Sequence, residues 1–381
     1  MKFLLVQTTA PDHLYAGINR AVAASLRRLG HDAALLPAPA GAALDQIALA
    51  IHSAAPDYVF SLGSFLGGVA ADSGASIFDI LGCGFVGWQL DHPLYTQHNL
   101  SAPMARRLSV YPNPSHAAFA DRLGVTGAST ILLAGGEVLD EPVRDHGDRS
   151  TPVLVVATYN GPPERTWDAL PDPGGKRLID AIAEHLEADP RASLAAACEA
   201  VRGACGLGPD LERRMAEPLR RLLTFVRHKD RMGAVTALVD GGLPITLVGD
   251  GWAGHFGDRP NLTARASVPF AEVGRLYNDA RVVLNFNAAN GGCERTIQAM
   301  LAGAAVVSDF TDSYAAMGLG TDDLRTFDRA RVDEISAVVG DLLEGGDGAR
   351  IAERGHRVAM GSQLWDHRLA ALLQTLSGRT P

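Results

Sequence analysis

The chain lacks the cysteine patterns of a disulfide framework or a zinc site. Its 381 residues include four cysteines, and none belongs to a C-x-x-C pair or to a Cys/His set at ligand spacing. We therefore expect reduced thiols, no bound metal and a cytoplasmic location. The cysteines are Cys83, Cys198, Cys205 and Cys293.

An excess of positive charge and a long hydrophobic run are also missing. The formal net charge is −9, whereas a nucleic-acid partner requires a basic surface to neutralise phosphates. No segment approaches the ~20 consecutive apolar residues that span a bilayer. The apolar start, MKFLLV, is too short for a signal sequence. We expect no nucleic-acid partner and no transmembrane segment.

Strand and helix patterns alternate over the first 145 residues, which predicts a parallel sheet with helices on both faces. A polar, aperiodic run at 140–151 is interpreted as an interdomain linker. At this length two domains are the default expectation. Strands are predicted at 2–7, 33–36, 58–62, 85–90, 108–111 and 131–133.

The second half begins like a new sheet, with a strand predicted at 153–158, but three helices then interrupt the alternation. They are predicted at 177–187, 194–205 and 211–224, and we interpret 175–225 as a lid-like insertion. Alternation resumes with a helix at 232–239 and a strand at 245–248.

The most informative stretch is 282–310, where two apolar strands flank a glycine turn and a short helix. Gly291 and Gly292 permit a sharp turn, and the helix predicted from Glu294 points its free N–H groups at that turn, as in anion sites. Arg295, one residue into the helix, would add a fork-shaped cation for pyrophosphate. Glu294 could instead only complement the helix dipole, and Gln298 could be a surface residue.

This order of elements, ending in "AMLAG", resembles the donor half of GT-B glycosyltransferases. That family has two Glu residues at the positions of Asn290 and Gln298, so the segment is more similar to the CgeB-like (spore maturation protein) group, whose pattern carries the Arg present here as Arg295. The resemblance implies two Rossmann-like domains facing a cleft. They would be an acceptor domain at 1–145 and a nucleotide-sugar donor domain at 152–365, with a C-terminal helix at 366–381 crossing back to the first domain.

A G-x-G-x-x-G pattern follows the strand at 245–248. A dinucleotide fingerprint must open a helix, and residues 255–261 contain Gly and Pro, so we favour a donor-binding turn similar to the "GDGW" of related glycosyltransferases. A plain turn that needs glycine is the structural alternative. The predicted donor contacts are Gly249, Asp250, Gly251 and Trp252.

The densest basic cluster lies at 227–231, just before the helix predicted at 232–239. Arg227 and Lys229 rank above Arg231 as contacts for a donor diphosphate, because they precede the predicted helix; a solvated helix start is the alternative. Asp309 ends the next strand, on the carboxyl edge where open α/β sheets bind ligands. Asn290 and Gln298 could hydrogen-bond the donor's hydroxyl groups.

In the first half, the segment WQLDHPLY places Asp91 and His92 at the carboxyl end of a strand. Such a pair could supply the base that takes a proton from an acceptor hydroxyl. His13 and the loop at 63–68 are further candidates. An Asx turn and a turn histidine before Pro93 are the structural alternatives.

The sequence therefore predicts a metal-independent glycosyltransferase without a cofactor. Its donor would be a nucleotide sugar such as a UDP-, GDP- or dTDP-sugar, and its acceptor an unidentified hydroxyl of a glycan, a lipid-linked molecule or a protein. The chain shows no Asp-x-Asp motif. The alternatives are a nucleotide-sugar epimerase and a non-catalytic binding module, which the replacement of both family Glu residues keeps open.

Overall fold

The computed structural model describes residues 1–10, 13–39, 41–287 and 291–378. The chain forms two compact units. The first comprises Met1–Gly135 and Leu364–Pro381, and the second comprises Gly136–Gln363. The division falls before the segment 140–151 that we predicted as a linker.

That segment is packed onto the second unit rather than extended as a free linker. Arg149 is buried and donates to the backbone oxygens of Tyr277, Ala280 and Ala302. A five-donor guanidinium can hold several carbonyl groups together, a contact that composition alone does not indicate.

The first unit is built on one parallel sheet of six strands, in the order β2-β1-β3-β4-β5-β6. The central strands are buried along their whole length, as expected for a parallel sheet covered on both faces. The strands are β1 Lys2–Gln7, β2 Asp32–Pro37, β3 Tyr58–Leu62, β4 Gly84–Trp88, β5 Arg107–Tyr111 and β6 Ala128–Ile131. The helices are α1 Leu14–Arg28, α2 Leu44–Ala54, α3 Ile77–Ile80, α4 Pro93–Thr96 and α5 Pro114–Arg122, with a 3-10 helix at Gln97–Leu100.

The second unit repeats this architecture with a six-stranded sheet of order β12-β11-β10-β7-β8-β9, again parallel throughout. The strands are β7 Thr151–Val156, β8 Ile245–Val248, β9 Leu262–Arg265, β10 Ala280–Asn285, β11 Ala305–Asp309 and β12 Arg325–Phe327. The helices are α6 Pro173–Ala188, α7 Leu194–Cys205, α8 Leu211–Arg214, α9 Ala216–Asp240, α10 Trp252–Phe256, α11 Phe270–Asp279, α12 Glu294–Leu301, α13 Asp312–Ala316, α14 Ile335–Glu344 and α15 Asp347–Ser362, with 3-10 helices at His146–Asp148, Thr166–Ala169 and Arg329–Glu334.

The last helix, α16 Trp365–Ser377, returns to the first unit. Its Trp365 packs edge to face on Trp88 at the end of β4, with ring centroids 5.3 Å apart. Asp366 forms a two-pronged ion pair with Arg28 of α1. The C-terminal helix thus completes the hydrophobic core of the N-terminal sheet.

The two doubly wound parallel sheets confirm the predicted α/β class, but several elements differ from the prediction. The helices expected at 211–224 and 232–239 are instead the single turn α8 and the 25-residue helix α9. The strands β9 and β12 were not predicted, because they are short edge strands with polar residues. In the described part of the chain, no helix is long and apolar enough to cross a membrane.

Candidate functional site

The carboxyl ends of β7, β8, β10 and β11 are the place where the second sheet can bind a ligand. These strands are parallel neighbours, so the segments that follow them meet along one edge. The predicted donor residues at 249–252 and 291–298, together with Asp309, lie on or directly after these strands. The topology therefore brings these segments to one edge of the sheet.

Glycine is required in the turn after β8 because the chain passes close to β7. Gly249 has φ of +150°, and a Cβ added there would lie 2.2 Å from the Ala157 carbonyl oxygen. Gly251 has φ of +90° and would bring a Cβ to 3.1 Å from Tyr159. A side chain at either position would push the β8 turn away from β7.

The turn leads into a helix of one turn, α10, where the sequence predicted a loop. Trp252 opens it and is fully buried, and its indole N–H donates to the Ala157 oxygen at 2.5 Å. With no exposed surface, Trp252 positions the turn rather than contacting a donor as predicted. Tyr159 and His255 stack with centroids 4.7 Å apart, and both retain exposed surface.

Asp250 points out of the same turn and is exposed. Its carboxylate accepts a hydrogen bond from the Ser267 backbone N–H at 3.0 Å, and this bond holds the pKa of Asp250 below its usual value. The charged carboxylate of Asp250 therefore links the β8 turn to the segment after β9.

Helix α12 begins after the glycine pair as predicted, at Glu294. Its N-cap residue, Cys293, makes no side-chain capping bond, so the cap leaves the first N–H groups of the helix for other acceptors. Glu294 is buried, whereas Gln298 is half-buried. Asn290 lies outside the described residues.

Arg295 turns back from α12 toward β7. Its Nη1 donates to the Val156 oxygen at 2.5 Å, and its Nε contacts the Cys293 sulfur at 3.1 Å. Burial raises the pKa of the Cys293 thiol, so this neighbour is neutral near pH 7. The guanidinium of Arg295 thus lies at the carboxyl end of β7, where a backbone oxygen of that strand accepts one of its hydrogen bonds.

The basic cluster lies within α9 and not before a helix, so the basis for ranking Arg227 and Lys229 first was wrong. Lys229 forms an exposed ion pair with Glu187 at 2.7 Å. Arg231, ranked last, is 5% exposed and donates to the Thr158 oxygen at 2.8 Å. The buried member of the cluster is therefore the one at the sheet edge. Arg227 also lies on α9, half-buried.

Asp309 ends β11 in a buried polar network. Its Oδ1 accepts from the backbone and side-chain nitrogens of Asn287, at 2.6 and 2.9 Å. Its Oδ2 lies 3.9 Å from Nε of Arg329, which also pairs with Asp230 at 3.1 Å. Burial raises the pKa of Asp309 to about 7 against the pull of Arg329. The Asp230 carboxylate, which shares the same guanidinium, contributes to this rise in the pKa of Asp309.

Sequence reasoning missed Arg329, Asp230, Asn287 and Tyr159. Tyr159 directly follows the strand predicted at 153–158, and Asn287 lies two residues after β10, so their positions were a usable signal. Arg329 follows the unpredicted strand β12, and Asp230 lies inside the basic cluster, where nothing in the sequence indicates its pairing.

In the first unit, Tyr15 brings three predicted candidates together. Its hydroxyl lies 3.5 Å from the Asp91 carboxylate, and its ring contacts that of His13 edge to face, 5.5 Å between centroids. It also lies beside Gly63, the start of the predicted loop after β3. His13 caps α1 by accepting from the Tyr15 N–H. Tyr15 itself had no signal in the sequence.

His92 is separated from this group by its burial. Its Nδ1 accepts from the Leu94 backbone N–H at 3.3 Å, which caps α4. Its ring packs on His116 and Phe119. Burial, with His116 nearby, keeps the pKa of His92 well below its usual value. These contacts favour the turn-histidine alternative, whereas Asp91 remains the predicted base.

No group of three or more His, Cys, Asp or Glu side chains in the described ranges is arranged to hold a metal ion.

One family model matches the C-terminal part of the chain. Residues 213–374 match the model of a family described as glycosyl transferase-like. This match covers α9, both glycine turns and the strands β8 to β12. No curated protein sequence matches the chain significantly.

Solved structures match along the whole chain. HepE of Anabaena, in complex with UDP-glucose, has a TM-score of 0.56 at 12% identity, covering 99% of this chain and 100% of that one. Sucrose-phosphate synthase of Thermosynechococcus elongatus has a TM-score of 0.53 at 10% identity, with 100% of both chains covered. An alpha-glucosyltransferase bound to UDP and a 13-mer DNA has a TM-score of 0.54 at 9% identity, with 99% of both covered.

These likenesses confirm the predicted GT-B fold. With the family match, they support a glycosyltransferase.

Proposed function

We propose that the protein transfers a sugar from a nucleoside-diphosphate donor, bound at the carboxyl edge of the second sheet, to an acceptor hydroxyl. The observation that carries the proposal is the convergence of Arg231 and Arg295 on the last residue of β7 and the backbone just beyond it. The glycine turn after β8 and the start of α12 flank this strand end. The family match over 213–374 and the UDP-glucose complex of HepE support the same chemistry.

The chemical role of this edge is to stabilise the departing diphosphate. Guanidinium groups and helix N–H groups form charge-assisted hydrogen bonds to phosphate oxygens. Such bonds strengthen as negative charge develops on the leaving group, so they lower the barrier to transfer. Arg231, Arg295 and the first turn of α12 supply donors of both kinds.

The nucleoside would bind beside the β8 turn. Tyr159 and His255 offer an exposed aromatic face there, and a nucleobase stacks favourably on such a face. Trp252 keeps this face in place from below through its bond to Ala157.

The first unit would hold the acceptor, with Asp91 as the base. Its carboxylate lies beside the Tyr15 hydroxyl, which would hold it in place. A carboxylate within hydrogen-bond distance of an acceptor hydroxyl can take its proton as the acceptor oxygen attacks the sugar. A CgeB-like subfamily, a cytoplasmic location and a reaction without metal or further cofactor belong to the same proposal.

A donor screen tests the proposal. Thermal unfolding with UDP, GDP, dTDP and their sugars should identify one nucleotide, since a ligand at ~100 times its dissociation constant stabilises the fold by about 2.7 kcal/mol. That donor should then be consumed, with release of nucleoside diphosphate, equally well with and without EDTA.

The products distinguish the rival activities. A rearranged sugar released without acceptor would indicate an epimerase instead. Binding without consumption in the presence of any glycan, lipid-linked or protein acceptor would indicate a binding module. If EDTA abolished the activity and a divalent ion restored it, only the metal-independent part of the proposal would be contradicted.

A further inference from the structure

The helices α6, α7 and α8 enclose a cavity that the proposed transfer reaction does not use. Its volume is about 680 Å³, within the range of roughly 300 to 1,000 Å³ that holds small-molecule ligands. Its lining residues, which lie between 172 and 215, include none of those at the sheet edge. A ligand in this cavity would therefore contact residues other than those of the sheet edge.

The walls of this cavity are apolar. Leu178 and Ala181 of α6 face it together with Leu207, Leu211 and Met215. Four of these five side chains keep exposed surface, and only Leu211 is buried. An open pocket with apolar walls gains most from a ligand with an apolar body, because that body leaves water as it enters.

The acidic and basic side chains of the lining differ in whether they already have partners within the protein. Asp172 accepts from the N–H groups of Gly174 and Gly175 as the cap of α6, and Asp210 pairs with Arg213. Both acidic groups are thus satisfied within the protein.

The two basic groups of the lining are Arg177 and Arg214. Within the described ranges, neither guanidinium has a hydrogen bond or an ion pair, and both are exposed. The lining therefore presents two cations with their full donor capacity and no carboxylate in need of a partner. That asymmetry favours an anionic group on the ligand.

We propose that this cavity binds an amphipathic anion, an apolar chain or ring system carrying one carboxylate, phosphate or sulfate. The apolar body lies against Leu178, Leu207 and Met215, and the anionic group lies between Arg177 and Arg214. This is a second binding site of the donor half, distinct in residues and in chemistry from the nucleotide edge.

Cys205 gives the site a built-in reporter. It lines the cavity and is the exposed cysteine, whereas Cys83, Cys198 and Cys293 are buried. Modification of the full-length protein by iodoacetamide, followed by intact mass, should therefore report on this position. The Cys205→Ser variant should lose the rapid modification.

The probe is decanoate, compared with 1-decanol as the uncharged molecule of equal chain length and with acetate as the anion without a chain. Decanoate should slow the modification of Cys205 in a saturable way. Decanol should need a concentration at least about threefold higher, and acetate should give no protection at the same concentrations.

Substitutions separate the two halves of the proposal. Arg177→Gln and Arg214→Gln should each weaken decanoate binding about threefold to tenfold and leave decanol binding unchanged. Lys176→Gln is the matched control, since it lies beside Arg177, pairs with Asp168 and does not line the cavity. Ala181→Phe should narrow the cavity and weaken protection by both molecules, with an unchanged melting temperature as the check on folding.

Absence of protection by decanoate would overturn the site. Equal affinity for decanol and decanoate, insensitive to both arginines, would overturn the anionic ligand. Because the readout is cysteine modification and not sugar transfer, either failure leaves the proposed function standing.

Discussion

Arg231 and Thr158 are joined by a hydrogen bond of 2.8 Å, from a buried guanidinium in the middle of α9 to the backbone just beyond β7. Arg295 reaches the Val156 oxygen, two residues earlier, from α12. Arginine stays protonated at physiological pH. Two permanent positive charges therefore lie at the carboxyl end of β7, the edge at which an open α/β sheet binds its ligand.

Replacing Arg231 should weaken nucleotide binding. Arg231→Gln removes one charge-assisted contact, and we expect the affinity for the best nucleoside diphosphate to fall by roughly 1.5 to 3 kcal/mol. Lys229→Gln, two residues away on the same helix, is the control. Its ion pair with Glu187 is exposed, and such pairs contribute about 0 to 1 kcal/mol. Calorimetric titration measures both variants. Equal affinities in the two would exclude Arg231 from the donor site.

Because the β8 turn approaches β7 closely, alanine substitution at two nearby glycines should have very different effects on stability and nucleotide affinity. Gly249→Ala places a Cβ 2.2 Å from the Ala157 oxygen, whereas Gly254→Ala meets nothing within 4 Å. We expect Gly249→Ala to lower the unfolding free energy by about 1 to 3 kcal/mol and to lose nucleotide affinity. Gly254→Ala should be neutral in both. Urea unfolding gives the comparison, and a neutral Gly249→Ala would disprove the described turn.

Substitution of Asp91 and of His92, the two candidates for the acceptor base, should affect different properties of the protein. Asp91→Asn keeps the shape of the side chain and removes its basicity, so turnover should fall about 100- to 10,000-fold while donor affinity is retained. His92→Gln should mainly lower stability, since His92 caps α4 and is buried. Turnover of the folded fraction should persist. If Asp91→Asn retains full turnover, His13 and the loop at 63–68 become the next candidates.

The first unit should lose stability in acid because of a buried histidine. Burial lowers the pKa of His116 to about 3, whereas the unfolded chain binds this proton near pH 6.5. The contribution of His116 is therefore complete above about pH 6.5 and is lost as the pH falls toward 3.

His116→Leu should reduce the slope of the unfolding free energy below pH 6 by up to about 1.4 kcal/mol per pH unit. The same change at His52, which is exposed on α2, should leave the slope unaltered. Urea unfolding between pH 7.5 and pH 5 measures it. An unchanged slope in the His116 variant would show that its ring is accessible to protons.

Much of the sheet structure could be predicted because its strands are continuous apolar runs. The runs at β1 and β3 were predicted with the bounds that the structure shows, since a strand buried on both faces needs an apolar residue at every position. The edge strands β9 and β12 have polar residues at their solvent-exposed positions, so their sequence pattern resembles that of a loop.

The contents of the site were harder to predict because they depend on contacts between distant residues. The charged run at 227–231 was interpreted as a segment that precedes a helix at 232–239, although Arg and Lys are good helix formers. The helix continues through the run, and this continuity is what carries Arg231 to β7. Tyr15 meets Asp91 only because β1 and β4 are held in one sheet, and residues 76 positions apart give no common signal.

Hydrogen–deuterium exchange with and without the best donor nucleotide tests the central claim most directly, because it locates the bound donor on the chain. We predict slower exchange in peptides covering the β8 turn at 249–253 and the start of α12 at 292–297, and loss of that protection in Arg231→Gln at equal nucleotide concentration. Binding confirmed by calorimetry with no protection in either segment would contradict the account.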